Sequence, residues 1–227
     1  MSSQQFETSA TRSRSHVTDA ALADVDYVGK RAFDAVVAGV GLLLLSPVLI
    51  GTAIAVGLSS PGPILHRARR VGRNGEPITV HKFRSMRTGT SGTAVTAARD
   101  PRVTPVGRLI RRSKIDELPQ LLDVVVGTMS IVGPRPEDPR YVAGYTPHQA
   151  RILAWRPGIT SPASIAYRHE EAMLVAADDI GMAYAEISAA KIALDLEYFE
   201  RSTLVGDIRI LLRTFSAIFS RPADSFV

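Results

Sequence analysis

From Ala35 to Leu58 the chain reads AVVAGVGLLLLSPVLIGTAIAVGL, without a single charged residue. A straight helix of that length spans about 35 Å, enough to cross the roughly 30 Å hydrocarbon core of a bilayer. Burying so long an apolar helix inside a protein of 227 residues would be unusual, so length and hydropathy together predict membrane insertion. Ser46-Pro47 falls in the middle of the run. A mid-helix proline removes a backbone donor and clashes with the preceding turn, so a bend is predicted there. Lys30 and Arg31 lie before the run, and Arg67, Arg69, Arg70 and Arg73 lie after it. Since positive charge marks the cytoplasmic side, a straight crossing would leave one basic flank on the wrong face, whereas a hairpin returning to its own side satisfies both. A re-entrant helix-break-helix fits better, with a kinked spanning helix as the alternative.

The remainder divides around that segment. Residues 1–24 are rich in Ser, Thr and Gln without hydrophobic period and are predicted to be a disordered tail. Residues 25–60 form the membrane element, and residues 61–227 a cytosolic domain. In that domain ILHRARRVGRNGEPITVHKFRSM predicts short strands around an Asn74-Gly75 turn, and RTGTSGTAVTAARDP a flexible loop. Helices are predicted from Thr104, with Pro105 at the first helical position, at PHQARILAW, from Glu170 to Ser202 with a break near Asp178 to Gly181, and over TLVGDIRILLRTFSAIF. The last carries Ile208, Leu211, Leu212, Phe215 and Phe219 on one stripe, which suits core packing, or a helix lying in the lipid interface. The fold class is therefore α+β and predominantly helical, with a small β element.

The formal charge is +5, and aromatic residues make up 6% of the chain, which argues against base-stacking surfaces. Phosphate or anionic lipid is as ready a partner as nucleic acid. No cysteine is present, which excludes disulfides and thiolate metal sites.

Chemistry concentrates in KIDELPQLLDVVVGTMSIVGPRP, Lys114 to Pro136, where Asp116 and Glu117 stand side by side before Pro119. Proline forbids a helix begun four or more residues earlier, so the helix is predicted to start around Asp116 or Glu117. Carboxylates at a helix start are commonly caps, and the same backbone N–H groups can receive a phosphate. The basic stretch RLIRRSK leads into the pair and VGPRP follows it. Arginines beside carboxylates suit phosphoryl transfer, in which cations and a metal neutralise a phosphate while a carboxylate attacks it. An oxygen-only donor set points to Mg²⁺.

KRAFD, the LLLLSPVL break, SSPGPILHRARRVGRNGEPITVHKFRSM, DELPQL followed by SIVGPRP, and RPGIT together resemble the bacterial sugar transferase family, the monotopic phosphoglycosyl transferases, in their short catalytic-core form. The similarity runs from about Lys30 to the C-terminus. It implies transfer of a sugar phosphate from a nucleotide sugar, usually a uridine diphosphate sugar, to a polyprenyl phosphate at the cytoplasmic face of the inner membrane, starting glycoconjugate synthesis. It implies a re-entrant helix broken at Ser46-Pro47, a catalytic pair Asp116 and Glu117 with Asp116 as nucleophile and metal ligand, and a requirement for Mg²⁺. Glu117 would bind metal or act as a base. Lys82, Arg84 and Arg135 would contact the donor, and Arg111 and Arg112 would serve the site or lipid headgroups. Lys191 and Asp195 fit a C-terminal pattern of the family. Members can dimerise, although no dimer face is marked in the sequence. Asp123, Thr128 and Ala189 depart from the family's usual Asn, Asp and Pro, and SPASIAYRHEE replaces its commoner continuation after RPGIT, which leaves the sugar open. The rival from another class is a non-catalytic, membrane-attached basic module binding anionic lipid or nucleic acid. A second rival transfers the sugar without its phosphate.

Overall fold

The computed structural model describes residues 25–88, 100–175 and 179–219; the predicted tail and most of the small-residue loop lie outside them. Helix α1, Lys30–Ser59, is one continuous element that includes Pro47. Proline at 47 cannot donate to the carbonyl of Leu43, and the Ser46 hydroxyl donates to that oxygen instead, at 2.8 Å. Through its middle the helix is covered on one side only: Leu42 and Leu45 pack against the core, whereas Leu43 is 75% and Leu44 71% exposed. Full burial is reached toward its two ends: Lys30, Asp34 and Ala38 at one, Thr52 and Val56 at the other.

Each end is fastened by polar contacts. At the start, fully buried Asp34 accepts from the Ser130 hydroxyl at 2.8 Å, the Ile131 amide at 3.1 Å and Lys30 Nζ at 3.0 Å. The same ammonium lies 2.7 Å from Asp207, also fully buried, which accepts from the Tyr27 and Tyr198 hydroxyls at 2.9 and 2.7 Å. One cation thus serves two buried carboxylates, and hydroxyl and amide donors satisfy the remaining oxygens. At the far end, the buried Arg84 guanidinium donates to the carbonyls of Val56, Ser60 and Pro63, capping the helix C-terminus where its carbonyls lack partners.

Strands β1 (Leu65–Val71) and β2 (Pro77–Phe83) form the expected antiparallel ribbon. Its turn contains Asn74 and Gly75 with φ of 56° and 76°, the left-handed conformations an Asn-Gly pair tolerates. Helix α2, Pro105–Arg112, starts as predicted, with Thr104 Oγ1 accepting from the Gly107 amide at 2.9 Å. A Cβ on Gly107 would meet the Ser85 carbonyl oxygen at 1.9 Å, so only glycine lets α2 sit this close to the segment after β2.

The next element corrects the sequence reading. Ile115–Glu117 is a short 3-10 turn entered through Lys114 in the left-handed conformation, and helix α3 spans Gln120–Val126, after Pro119. The carboxylate pair therefore precedes the α-helix instead of opening it. Strands β3 (Ser130–Val132) and β4 (Gly158–Thr160) pair in parallel. Short helices α4 (Pro139–Val142) and α5 (Pro147–Ala150) lie between them. Helices α6 (Pro162–Ala166), α7 (Glu170–Val175), α8 (Ile180–Phe199) and α9 (Leu204–Phe219) follow. The predicted break is borne out as the separation of α7 from α8, part of it outside the described residues.

The main core gathers Val71, Val80, Leu121, Val124, Met129, Ile131 and Val132 with Ile192, Leu196 and Phe199 of α8. A smaller cluster of Val56, Phe83 and Ile110 packs the far end of α1 onto β2 and α2. On α9 the buried positions are Asp207 and Ile210, while Ile208, Leu212 and Phe215 are exposed. Of the predicted stripe, Leu211 packs against the core while these three face outward, because the polar anchor Asp207 turns the opposite side inward.

Removing one partner of a buried ion-pair network costs about 3–5 kcal/mol. Asp207→Ala is expected to destabilise by that order, read as a lowered thermal midpoint in detergent, with Asp207→Asn milder because its amide oxygen still accepts from a tyrosine.

Candidate active site

Three segments converge on Glu117. β2 supplies Lys82, whose Nζ lies 2.6 Å from Glu117 Oε1. The loop after β3 supplies Arg135, whose Nη2 lies 3.0 Å from the same oxygen. The 3-10 turn supplies Glu117 itself and its neighbour Asp116. The Arg135 loop is held by a tight backbone approach, since a Cβ on Gly158 would fall 2.1 Å from the Gly133 amide nitrogen. Prolines at 134 and 136 flank the arginine and fix φ on both sides of it.

The two adjacent carboxylates have opposite electrostatics. Burial pushes the Glu117 pKa up, but Arg135 and Lys82 override it and hold the carboxyl well below the ordinary range. Asp116 is shifted the other way: burial, then the charge of Glu117, raise its pKa against the pull of Lys82, Lys114 and Arg111. Its Oδ1 is buried without a hydrogen-bond partner. The Lys82 pKa is lowered by burial and by Arg135, with Glu117 opposing, and Glu117 raises that of Arg135. Glu117 is thus a fixed anion between two cations, and Asp116 an uncommitted carboxylate beside it.

The other residues singled out in the sequence divide. Arg111 is near enough to Asp116 to favour its ionised form. Arg112 is exposed. Arg84 points to the C-terminus of α1 and donates to the carbonyls of Val56, Ser60 and Pro63 there. Lys191 pairs with Glu170 at 2.7 Å. Asp195, its pKa pushed up to about 7 by burial, accepts from the Ala163 amide at 2.9 Å and so holds the start of α6. Two histidines were passed over. His81 donates its amide to Asp123 at 2.9 Å and places Nδ1 2.6 Å from the same carboxylate, so Asp123 caps the free edge of β2. His66 lies directly opposite Lys82 in the ribbon. The strand register could have found it, because HKF and LHR alternate in phase.

Among the described residues no group of three or more His, Cys, Asp or Glu side chains could hold a metal by itself. The free Asp116 oxygen still fits a hard cation that takes one or two carboxylates and completes its sphere with water and substrate phosphates, as Mg²⁺ does.

A family model described as bacterial sugar transferase matches residues 25–221. An Escherichia coli K12 protein named UDP-glucose:undecaprenyl-phosphate glucose-1-phosphate transferase is 42% identical over 205 residues, covering 86% of this chain and 41% of its own. A Rhizobium leguminosarum protein named exopolysaccharide production protein PSS is 39% identical over 206 residues, 87% of this chain and 98% of its own. An Aeromonas hydrophila protein named UDP-N-acetylgalactosamine-undecaprenyl-phosphate N-acetylgalactosaminephosphotransferase is 34% identical, over 84% of this chain and 44% of its own. The chain thus spans less than half of the first and third relatives and nearly all of the second.

Carboxyl NMR of aspartate-labelled protein should show Asp116 titrating above the ordinary aspartate value of about 3.9. Glu117→Gln is expected to move that midpoint down by removing a like charge, and Lys82→Met to move it up by removing a cation.

Proposed function

The chain belongs to the bacterial sugar transferase family, and on that premise we propose that it transfers a sugar 1-phosphate from a nucleotide sugar, a uridine diphosphate sugar by preference, to a polyprenyl phosphate. The observation that carries this reading is the pairing of Asp116, whose Oδ1 is buried without a hydrogen-bond partner, with a Glu117 clamped between Lys82 and Arg135.

An ionised Asp116 oxygen attacks the phosphorus next to the sugar. The new aspartyl P–O bond forms as the P–O bond to the nucleoside monophosphate breaks, and the electron pair leaves on that monophosphate. A phosphate oxygen of the polyprenyl acceptor then attacks the enzyme-bound phosphosugar and returns the electron pair to Asp116. Lys82 and Arg135 carry positive charge to the place where the diphosphate must lie, and Arg111 adds to it. Glu117 fixes both side chains and neutralises one of their charges while the site is empty, so the cations are positioned before the donor arrives. Asp116 would hold Mg²⁺, which supplies further charge neutralisation on the diphosphate.

The membrane arrangement belongs to the same proposal. Both ends of α1 pack against the rest of the chain, Asp34 against β3 and Val56 against β2 and α2. A helix crossing a bilayer would carry one of those ends to the far side, whereas a re-entrant helix keeps both on the cytoplasmic face. The continuous helix through Pro47 leaves the Ser46-Pro47 pair as the place where bending is least costly.

Purified protein in detergent, given Mg²⁺, polyprenyl phosphate and uridine diphosphate sugars one at a time, is expected to release nucleoside monophosphate with a subset of donors. Label carried on the sugar phosphate should remain on the wild-type chain when the lipid is withheld. Asp116→Asn should abolish both. Substantial turnover in that variant would remove Asp116 as nucleophile, and a lipid-linked product with a monophosphate bridge would replace sugar-phosphate transfer by sugar transfer.

A further inference from the structure

Lys114 is a lysine in a conformation that suits glycine. Its φ of 58° and ψ of 12° are left-handed. Among the described residues the only other non-glycine with positive φ is Asn74, a residue type that takes this conformation readily. Lys114 follows Ser113, the cap of α2, at a place where helices commonly end on a left-handed glycine because a Cβ is costly there. Its amide donates to the Arg111 carbonyl and its own carbonyl accepts from the Glu117 amide, both at 3.2 Å. One residue thus closes α2 and opens the turn that carries both carboxylates. Glycine would meet the backbone's need at less cost, so what the lysine adds is its ammonium.

Lys114 is exposed and, among the described residues, has no carboxylate within ion-pair distance, whereas Lys82 and Arg135 are both paired with Glu117. Burial favours the protonated form of both carboxylates of the pair, and Lys114 is among the cations that oppose it at each. Arg135 acts most strongly on Glu117, while the cations that act most on Asp116 are Lys82, Lys114 and Arg111. The carboxylate pair is therefore flanked by Lys114 and Arg111 on the Asp116 side and by Arg135 on the other. The Asp116 side belongs to α2, whose Ile110 packs with Val56 near the end of α1 and whose Leu109 is exposed.

We propose that Lys114 binds the phosphate of the polyprenyl acceptor in the second half-reaction; this rests on the covalent reading above. Once the nucleoside monophosphate has left, the incoming phosphate, close to a dianion at neutral pH, meets the Glu117 carboxylate at short range. Lys82 and Arg135 are already partly neutralised by that carboxylate. An unpaired ammonium on the Asp116 side supplies the charge that lets the dianion dock there. No proton moves in this step. The ammonium stays charged and holds the acceptor while its oxygen forms the new P–O bond to the phosphosugar and the bond to Asp116 breaks.

The two half-reactions separate this inference from the reading beneath it. Labelled phosphosugar enzyme is formed from donor and Mg²⁺ without lipid, then chased with increasing polyprenyl phosphate in wild type, Lys114→Met, Lys114→Gly and Lys114→Arg. In the Met and Gly variants the half-saturating acceptor concentration should rise about tenfold, the loss of one charge-assisted contact, and Lys114→Arg should restore most of it. Formation of the labelled enzyme, which also controls for folding, should slow by no more than about twofold. Lys114→Gly should melt at a higher temperature than wild type, because glycine relieves the left-handed residue, so weaker acceptor binding comes with greater stability. Added salt should weaken acceptor binding more in wild type than in Lys114→Met. An unchanged acceptor dependence in Lys114→Met, a Lys114→Gly enzyme that behaves like wild type, or equal slowing of both half-reactions would each overturn the acceptor role. Failure of wild type to form labelled enzyme at all would instead overturn the covalent reading, and this inference with it.

Discussion

The Lys30 ammonium, shared between two fully buried carboxylates, is the contact on which the arrangement of the site depends. Asp34 joins the start of α1 to β3 through the Ser130 hydroxyl and the Ile131 amide. Asp207 joins it to α9 and α8 through two tyrosines. β3 leads within a few residues to Gly133, Pro134 and Arg135, so the register fixed at Asp34 is transmitted to the guanidinium that holds Glu117. Two buried anions on one cation would be unstable without those donors, because each unsatisfied oxygen would bear its full desolvation cost. The network therefore tolerates little rearrangement, and the exposed apolar helix and the candidate site are set by one set of contacts.

The same physics divides the adjacent carboxylates. Placing two like charges side by side raises the proton affinity of whichever has fewer compensating partners. Glu117 has Lys82 and Arg135 at hydrogen-bond distance, so the penalty falls on Asp116, which keeps a buried oxygen uncommitted. A carboxylate that makes no strong hydrogen bond is the better nucleophile of the two. On the proposed mechanism, its neighbour would serve the reaction by holding the cations.

Much of this was legible. The charge-free run, the Asn74-Gly75 ribbon and the Thr104-Pro105 helix start follow from hydropathy and turn chemistry, whereas a place for Lys82 and Arg135 at the site came from the family resemblance. The misplaced helix start has a local cause: Lys114 takes a left-handed conformation and Pro119 has no amide to donate, so the chain closes a 3-10 turn before α3 begins. Other parts depend on long-range partners that no window along the chain displays. Asp207 sits within an apolar helix, and its pull toward Lys30 turns the face carrying Leu212 and Phe215 outward. Arg84 shares a motif with Lys82, yet it lies just past the end of β2 at Phe83, and its side chain turns to the end of α1. Adjacent basic positions thus took unrelated roles.

Arg84 also bears on how lipid and water meet at the site. A re-entrant helix must end where its last carbonyls find donors, and a buried guanidinium that donates to Val56 in the last turn, to Ser60 at the cap and to Pro63 just beyond fixes that end beside β2. Ser60 to Ile64 then carry the chain straight into β1, whose partner strand holds Lys82. On the re-entrant reading, the distance between the bilayer surface and the Glu117 clamp is set by that short connection and by the length of one strand pair. A lipid phosphate confined to the headgroup layer can then reach Asp116 without leaving the membrane, while a soluble nucleotide approaches from the side of Arg135. A straight crossing would free one end of α1 from these contacts and leave that distance undefined, so the capping by Arg84 and the anchoring by Lys30 have their simplest joint explanation in a helix that returns to the face it entered.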